Sequence, residues 1–187
     1  MASPEINLQH AFTLADLKLK PFGMLSGEEV EQVWHMRNHP DIARWMGSGG
    51  NISLEQHRAF MARQKEERTH FNYLCHDSVD IVGVIALHRL DRLNRVAWLG
   101  IYRNPLRTEK GLGAHLLRAV CQLAFEIAQL HTLKLEVVAD NSRAIAAYQR
   151  AGFSEEGCWR EAIFRPEEER YIDLRLMGIT EQEWRGK

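Results

Sequence analysis

The chain has 187 residues, is 45% hydrophobic and carries a formal net charge of −1 at pH 7. That length and apolar content suit one domain over residues 1–187 with a sizeable core, and the balanced charge argues against nucleic acid as a partner, since such domains carry a basic excess on one face. No stretch of about eighteen apolar residues is present to cross a membrane, no leader pattern opens the chain, so a cytoplasmic location is expected, and Cys75, Cys121 and Cys158 have no spacing that suits a disulfide framework or zinc.

Weak alternation over residues 13–19 predicts a first strand, ended by Pro21-Phe22-Gly23. Ser26-Gly-Glu-Glu29 is a capping box, and the helix behind it carries Val30, Val33, Trp34 and Arg37 before stopping near Asn38-His39-Pro40. A short helical turn over residues 42–46 leads into Gly47-Ser-Gly-Gly50, a loop whose composition predicts flexibility. Ser53-Leu-Glu-Gln56 is a second capping box, whose helix puts His57, Phe60 and Met61 on one side. Strands are predicted at residues 70–76, 81–89 and 95–102, a meander that first turns at Asp77-Ser78. A helix over 112–129, a strand over 132–139, a helix from Asn141 and strands near 153–163 and 170–177 follow, the last two joined by the solvated turn at Pro166. The sum is an α/β (α+β) domain with a mixed, mostly antiparallel sheet of about seven strands flanked by helices. An edge strand near the C-terminus could pair with a second copy, which would make a homodimer.

The chemistry concentrates between Ala97 and Phe153. Gly111 and Gly113, with Lys110, Leu112 and Ala114 around them, free backbone N–H groups at the start of a helix that follows a buried strand. Helix N-termini carry about half a positive charge, so a pyrophosphate can sit there without a dedicated lysine. Asn141 caps the later helix and shares a face with Ala144 and Tyr148, which places a phenol opposite the glycine turn.

On Gly111-Leu112-Gly113-Ala114, the strand Leu135-Glu136-Val137, then Asn141, Ala144-Ile145, Tyr148 and Gly152-Phe153, the segment resembles the acetyl-CoA binding core of the GCN5-related N-acetyltransferases. The resemblance implies acetyl-CoA as cosubstrate, the glycine turn as the cradle of its pyrophosphate, and Tyr148 as proton donor to the departing thiolate. The family usually has Gln or Arg three residues before the first glycine; here Thr108 stands there, with Arg107 one residue earlier. No metal is implied, and the nine histidines form no metal-binding pair or cluster.

Acyl transfer to an amine needs a neutral amine, a placed carbonyl, oxyanion donors and a proton for the thiolate. Gly100 in Leu99-Gly100-Ile101 permits a bulge that splays the fourth strand from the fifth, so pantetheine can pair with strand backbone and an N–H near Ile101 can meet the thioester oxygen. Tyr148 is either that acid or an aromatic packed under the sheet. Glu136 projects opposite the leucines of its strand and is either the base or a surface glutamate.

Arg37-Asn38-His39-Pro40, Trp45-Met46, Ile52-Ser53-Leu54 with His57, and Leu99 to Tyr102 before Asn104-Pro105 are similar, more narrowly, to bacterial acetyltransferases of pseudaminic acid synthesis. Those enzymes acetylate the 4-amino group of UDP-4-amino-4,6-dideoxy-N-acetyl-β-L-altrosamine. For such an acceptor Arg37 can pair with a phosphate, His57, His88 and Arg89 can add phosphate contacts, and Trp45, Met46 and Tyr102 can form an apolar wall. The plainer readings are a helix C-terminal arginine, a core tryptophan and an exposed helical histidine. Acetylation of a protein N-terminus or a polyamine, or CoA binding by a non-catalytic regulator, remain the alternatives; a polyamine enzyme should show an acidic pocket.

Overall fold

The computed structural model describes residues 6–46 and 51–186, so the predicted flexible loop at 47–50 lies outside the described residues. The first predicted strand is a hairpin, β1 (Phe12–Leu14) and β2 (Leu17–Pro21). Ala15 and Asp16 between them have φ of 48° and 59°, the left-handed pair a two-residue hairpin turn requires. Neither is glycine or asparagine, so the alternation reads straight through the turn.

Both capping boxes form. The Ser26 hydroxyl accepts from the Glu29 amide at 3.2 Å while the Glu29 carboxylate accepts from the Ser26 amide at 2.7 Å, starting α1 (Gly27–Asn38). Pro40 stops α1 and opens α2 (Pro40–Ala43) as an early-turn proline, so this helix is earlier and shorter than predicted and leaves Trp45 and Met46 in the turn after it. Ser53 and Gln56 start α3 (Leu54–Arg63).

The meander is β3 (Phe71–His76), β4 (Ile81–Asp91) and β5 (Val96–Arg103), followed by α4 (Leu112–Gln122), which continues as a π-helical turn over Leu123–Ile127. Then come β6 (Thr132–Val138), α5 (Ser142–Ala151), β7 (Ser154–Arg165), β8 (Arg170–Thr180) and α6 (Glu181–Arg185), a terminal helix not foreseen from the sequence. All eight strands join one sheet in the order β1-β2-β3-β4-β5-β6-β8-β7. The hairpin at β1–β2 accounts for eight strands instead of about seven.

One face packs Leu87, Ala97, Leu133 and Met177 against Leu116, Val120 and Phe125 of the α4 segment. The other face, around Leu74 and Val84, is covered by Val33 and Met36 of α1 and Met61 of α3. Where β4, β5 and α4 meet, Gly83 is a packing requirement: a Cβ there would stand 2.3 Å from the Tyr102 carbonyl oxygen and 2.9 Å from Leu116 Cδ1. Since the nearest atom is backbone, Gly83→Ala is expected to cost about 3 kcal/mol in chemical denaturation; wild-type stability would show that the strands move apart freely.

Candidate active site

Pairing between β5 and β6 is parallel and short. It runs from Val96↔Thr132 to Trp98↔Lys134 and goes no further, whereas β5 stays paired with β4 from Trp98 to Arg103 and β6 with β8 along its length. The two strands therefore part after Trp98 and Lys134, the predicted splay between the fourth and fifth predicted strands, and leave backbone donors and acceptors on facing edges. The predicted cause needs correction. The β4–β5 register runs unbroken past Gly100 and shifts only between His88 and Asp91, so there is no bulge at Gly100. Its glycine is steric: a Cβ would lie 2.9 Å from His88 Cε1 and 3.2 Å from Ala86 Cβ.

A cleft of about 1480 Å³ fills the split. Its near wall is Leu99, Gly100, Ile101 and Tyr102; its mouth is Lys110, Gly111, Leu112, Gly113 and Ala114; its far wall holds Glu136, Asn141, Ala144 and Tyr148. Trp45 and Met46 close it from the α2 side, with Ile42 beside them and Ile163 and Leu174 from the β7–β8 hairpin. Ile163 and Leu174 had no local signal, because a bulge between Trp159 and Ile163 and the sheet order bring that hairpin to the cleft. Trp45 is also held by cations, with Arg44 Cζ 4.8 Å and Arg165 Cζ 5.4 Å from its ring.

Gly111 has φ of 91° and forms the N-cap of α4 without a side-chain cap. The N–H groups of that first turn have no intrahelical acceptor, and the residues that carry them, Leu112, Gly113 and Ala114, line the cleft mouth. Across from them Asn141 Oδ1 accepts from the Ala144 amide at 3.2 Å, fixing the start of α5. The end of α5 is fixed by Gly152 at φ 98°, with the Phe153 amide bonded to the Tyr148 carbonyl at 3.0 Å and the Gly152 amide to Gln149 at 2.9 Å. This Schellman motif folds Phe153 back on Tyr148, edge to face at 5.9 Å between ring centroids. The spacing from Asn141 through Tyr148 to Gly152-Phe153 is therefore a device that caps both helix ends and aims one phenol. Burial pushes that phenol up to about 12, so it keeps its proton at neutral pH.

Glu136 is half-buried and ion-paired with Arg89 through Oε1. Arg89 sits in the register shift with φ of 50°, and its guanidinium lies 4.4 Å from the Trp98 ring centroid. Arg89 thus meets the candidate base and does not line the cleft. Trp98 is the platform for that guanidinium.

The two histidines are corrections. His57 is 3% exposed and its Nε2 donates to the Val30 carbonyl at 3.1 Å, joining α3 to α1 away from the cleft. Burial lowers its pKa, as does Arg37, while the Val30 carbonyl acts the other way. His88 Nε2 bonds Asn72 Oδ1 at 3.1 Å, and Asn72 in turn donates to Gln64 at 2.9 Å. Burial first, then His70 and Arg89, pull His88 down to about 4, which leaves it uncharged and unsuited to a phosphate at neutral pH. Arg37 does not line the cleft either; burial lowers its pKa while the neighbouring Tyr102 opposes that shift.

The match of the chain to the acetyltransferase (GNAT) domain model spans residues 17–154. Acetyltransferase PseH of Campylobacter jejuni subsp. jejuni is 31% identical over 138 residues, 74% of this chain and 85% of that protein. Spermidine N(1)-acetyltransferase of Vibrio cholerae is 29% identical over 105 residues, 56% of this chain and 60% of that protein. A crystal structure of V. cholerae spermidine N-acetyltransferase in complex with CoA and spermine superposes with a TM-score of 0.82, over 91% of this chain and 98% of that one, at 22% identity, a likeness of fold.

Proposed function

Because the chain belongs to the acetyltransferase (GNAT) family, we propose that it transfers acetyl from acetyl-CoA to the 4-amino group of a UDP-linked 4-amino-4,6-dideoxy sugar, as in pseudaminic acid synthesis. Identity to acetyltransferase PseH over most of both chains carries the reading. The acceptor end of the cleft supports it, since Ile42, Trp45, Met46, Ile163 and Leu174 suit a sugar whose C6 is a methyl group.

The amine attacks the thioester directly in a ternary complex. Pantetheine adds as a strand in the split, an N–H near Ile101 receives the carbonyl oxygen, and Tyr148 gives its proton to the sulfur. Glu136 takes the amine proton, directly or through water, with Oε2 as the receiving atom because Oε1 holds Arg89. The pyrophosphate lies on the first turn of α4.

A polyamine is the second reading, favoured by the spermidine acetyltransferases among the relatives. Its several ammonium groups would need open carboxylates. Among the described residues lining the cleft, four carboxylates, Asp41, Glu109, Glu126 and Glu136, face six basic side chains, Arg103, Lys110, Arg118, Arg143, Arg150 and Arg185, and two of the four are taken up, Glu136 by Arg89 and Glu109 by Arg107 at 2.6 Å. That balance favours an anionic acceptor. Thiol release from acetyl-CoA, run with a UDP-4-amino-sugar, spermidine and an N-terminal peptide and with products identified by mass, is expected to proceed only with the sugar. Turnover confined to spermidine or the peptide would replace the acceptor and keep the chemistry; acetyl-CoA binding without turnover on any amine would leave the regulator reading.

A further inference from the structure

The loop from β5 to α4 carries the cofactor cradle of the proposed function, and two polar anchors, one buried and one partly buried, set its course. At its base Asn104, 7% exposed, donates from its side chain to the Ile81 carbonyl at 3.1 Å and accepts the Leu106 amide at 3.0 Å, while its own amide bonds the Val82 carbonyl at 2.7 Å. Midway, Arg107 turns away from the cleft. Its Nη2 donates to Asp77 Oδ2 at 3.0 Å, its Nη1 to Asp77 Oδ1 at 3.3 Å, and its Nε to Glu109 at 2.6 Å. Asp77 belongs to the β3–β4 turn and is rigid there, because Oδ1 also accepts the Val79 and Asp80 amides at 2.8 and 2.9 Å. The Arg103 guanidinium closes the loop on itself by donating to the Arg107 carbonyl at 3.1 Å.

Arg107 is thus the basic residue nearest the family's usual basic position, yet its charge is spent on two carboxylates and its side chain is 11% exposed. We infer that Asp77 and Arg107 are positioning residues for the pyrophosphate of acetyl-CoA: they pin the loop to the opposite side of the meander so that Thr108 to Gly111 deliver the first turn of α4 in one orientation. The inference rests on the reading that this turn holds the cofactor. Donors fixed before binding cost no ordering when the anion arrives, whereas a loose loop must be ordered by the ligand. Both partners are most stable charged: the Arg107 hydrogen bonds, followed by the turn amides, hold Asp77 well below the usual carboxylate range, and Asp77 raises Arg107.

Asp77→Asn isolates the pin, because the amide oxygen can still accept the turn amides while the paired charge is lost. Calorimetric titration with CoA is expected to show about tenfold weaker binding for Asp77→Asn and for Arg107→Gln, with kcat at saturating acetyl-CoA within twofold of wild type. The double variant should be no weaker than either single one, as expected for residues acting through one contact. Asp80→Ala removes a bond within the same turn, from the Ile81 amide at 2.7 Å, without touching Arg107, and should leave CoA affinity unaltered. Wild-type affinity in both single variants, a multiplicative loss in the double, or an equal loss in Asp80→Ala would overturn the pin. Failure of the wild type itself to bind CoA would instead overturn the cofactor reading, and the pin with it.

Discussion

Tyr148→Phe is expected to lower kcat about 100-fold, or about 2.7 kcal/mol of barrier, with acetyl-CoA affinity within about threefold of wild type. The substitution is nearly silent structurally, since the ring and its edge-to-face contact with Phe153 remain and the hydroxyl makes no hydrogen bond to another described residue. Proton transfer from a phenol at about 12 to an ordinary thiol, near 8.5 in water, would run uphill. The sulfur, however, departs inside the same cleft. Burial raises the pKa of a thiol in the same direction as it raises that of a phenol. Desolvation narrows the gap between them, and the hydroxyl is worth most when negative charge develops on sulfur. A folded-state pKa raised by burial also means that Tyr148 stays protonated throughout the working pH range, so it adds no loss of activity on the alkaline side short of that value. Steady-state kinetics on both forms, with CoA titration as the binding control, reads the effect. Unchanged kcat would remove Tyr148 from the chemistry and leave it as packing under the sheet.

Legibility in the sequence followed the range of the interactions. The two capping boxes, the glycine turn and the segment from Asn141 to Phe153 are local: each residue's role is decided by neighbours within about one or two helical turns, and the structure forms each of these helix starts at the residue expected. The hairpin at Ala15-Asp16 was hidden because a turn that uses φ above zero without glycine or asparagine leaves no signature. Gly100 shows a different limit. Glycine in a strand signals either a bulge or a close approach, and only the ring of His88 from the neighbouring strand decides for the second. His57 and His88 were misplaced for the same reason, since pattern alone cannot say that the Val30 carbonyl and Asn72 occupy their nitrogens. The Asp77–Arg107 pin joins residues 30 positions apart and lay beyond any motif.

The placement of Arg89 changes how the acceptor side is read. As a phosphate ligand it would have been one more basic residue near an anionic substrate. Lodged in the β4 irregularity, stacked on Trp98 and paired with Glu136, it instead compensates the carboxylate that Glu136 brings to the cleft wall. A cationic acceptor meets there a carboxylate already compensated, and an anionic one is not repelled by it. The charge of that one carboxylate is therefore set by a strand bulge on the meander side and a glutamate on the far side of the split, two elements that share no sequence motif.

Gly113→Leu is expected to separate folding from cofactor binding. Gly113 is the second residue of α4, and a Cβ built there meets no described atom within 4 Å. Leucine is a far better helix former than glycine, so the folded state should gain up to about 0.8 kcal/mol, read as a higher denaturation midpoint. Side chains in a helix lean toward its N-terminus, which at this position lays the added carbons over the unpaired N–H groups of the first turn. A phosphate oxygen must come within roughly 3 Å of those nitrogens to be bound. The leucine fills that approach without touching the protein, so CoA affinity should fall at least 100-fold, about 2.7 kcal/mol, while stability rises. Gly111 cannot serve the same purpose, because at φ 91° any added side chain is strained in the folded protein and the two effects would mix. The opposite signs are what tie the loss to the anion site. A variant that binds CoA as the wild type does would move the pyrophosphate off the start of α4, and a variant that loses stability along with binding would show that the space beside Gly113 belongs to the protein's own packing.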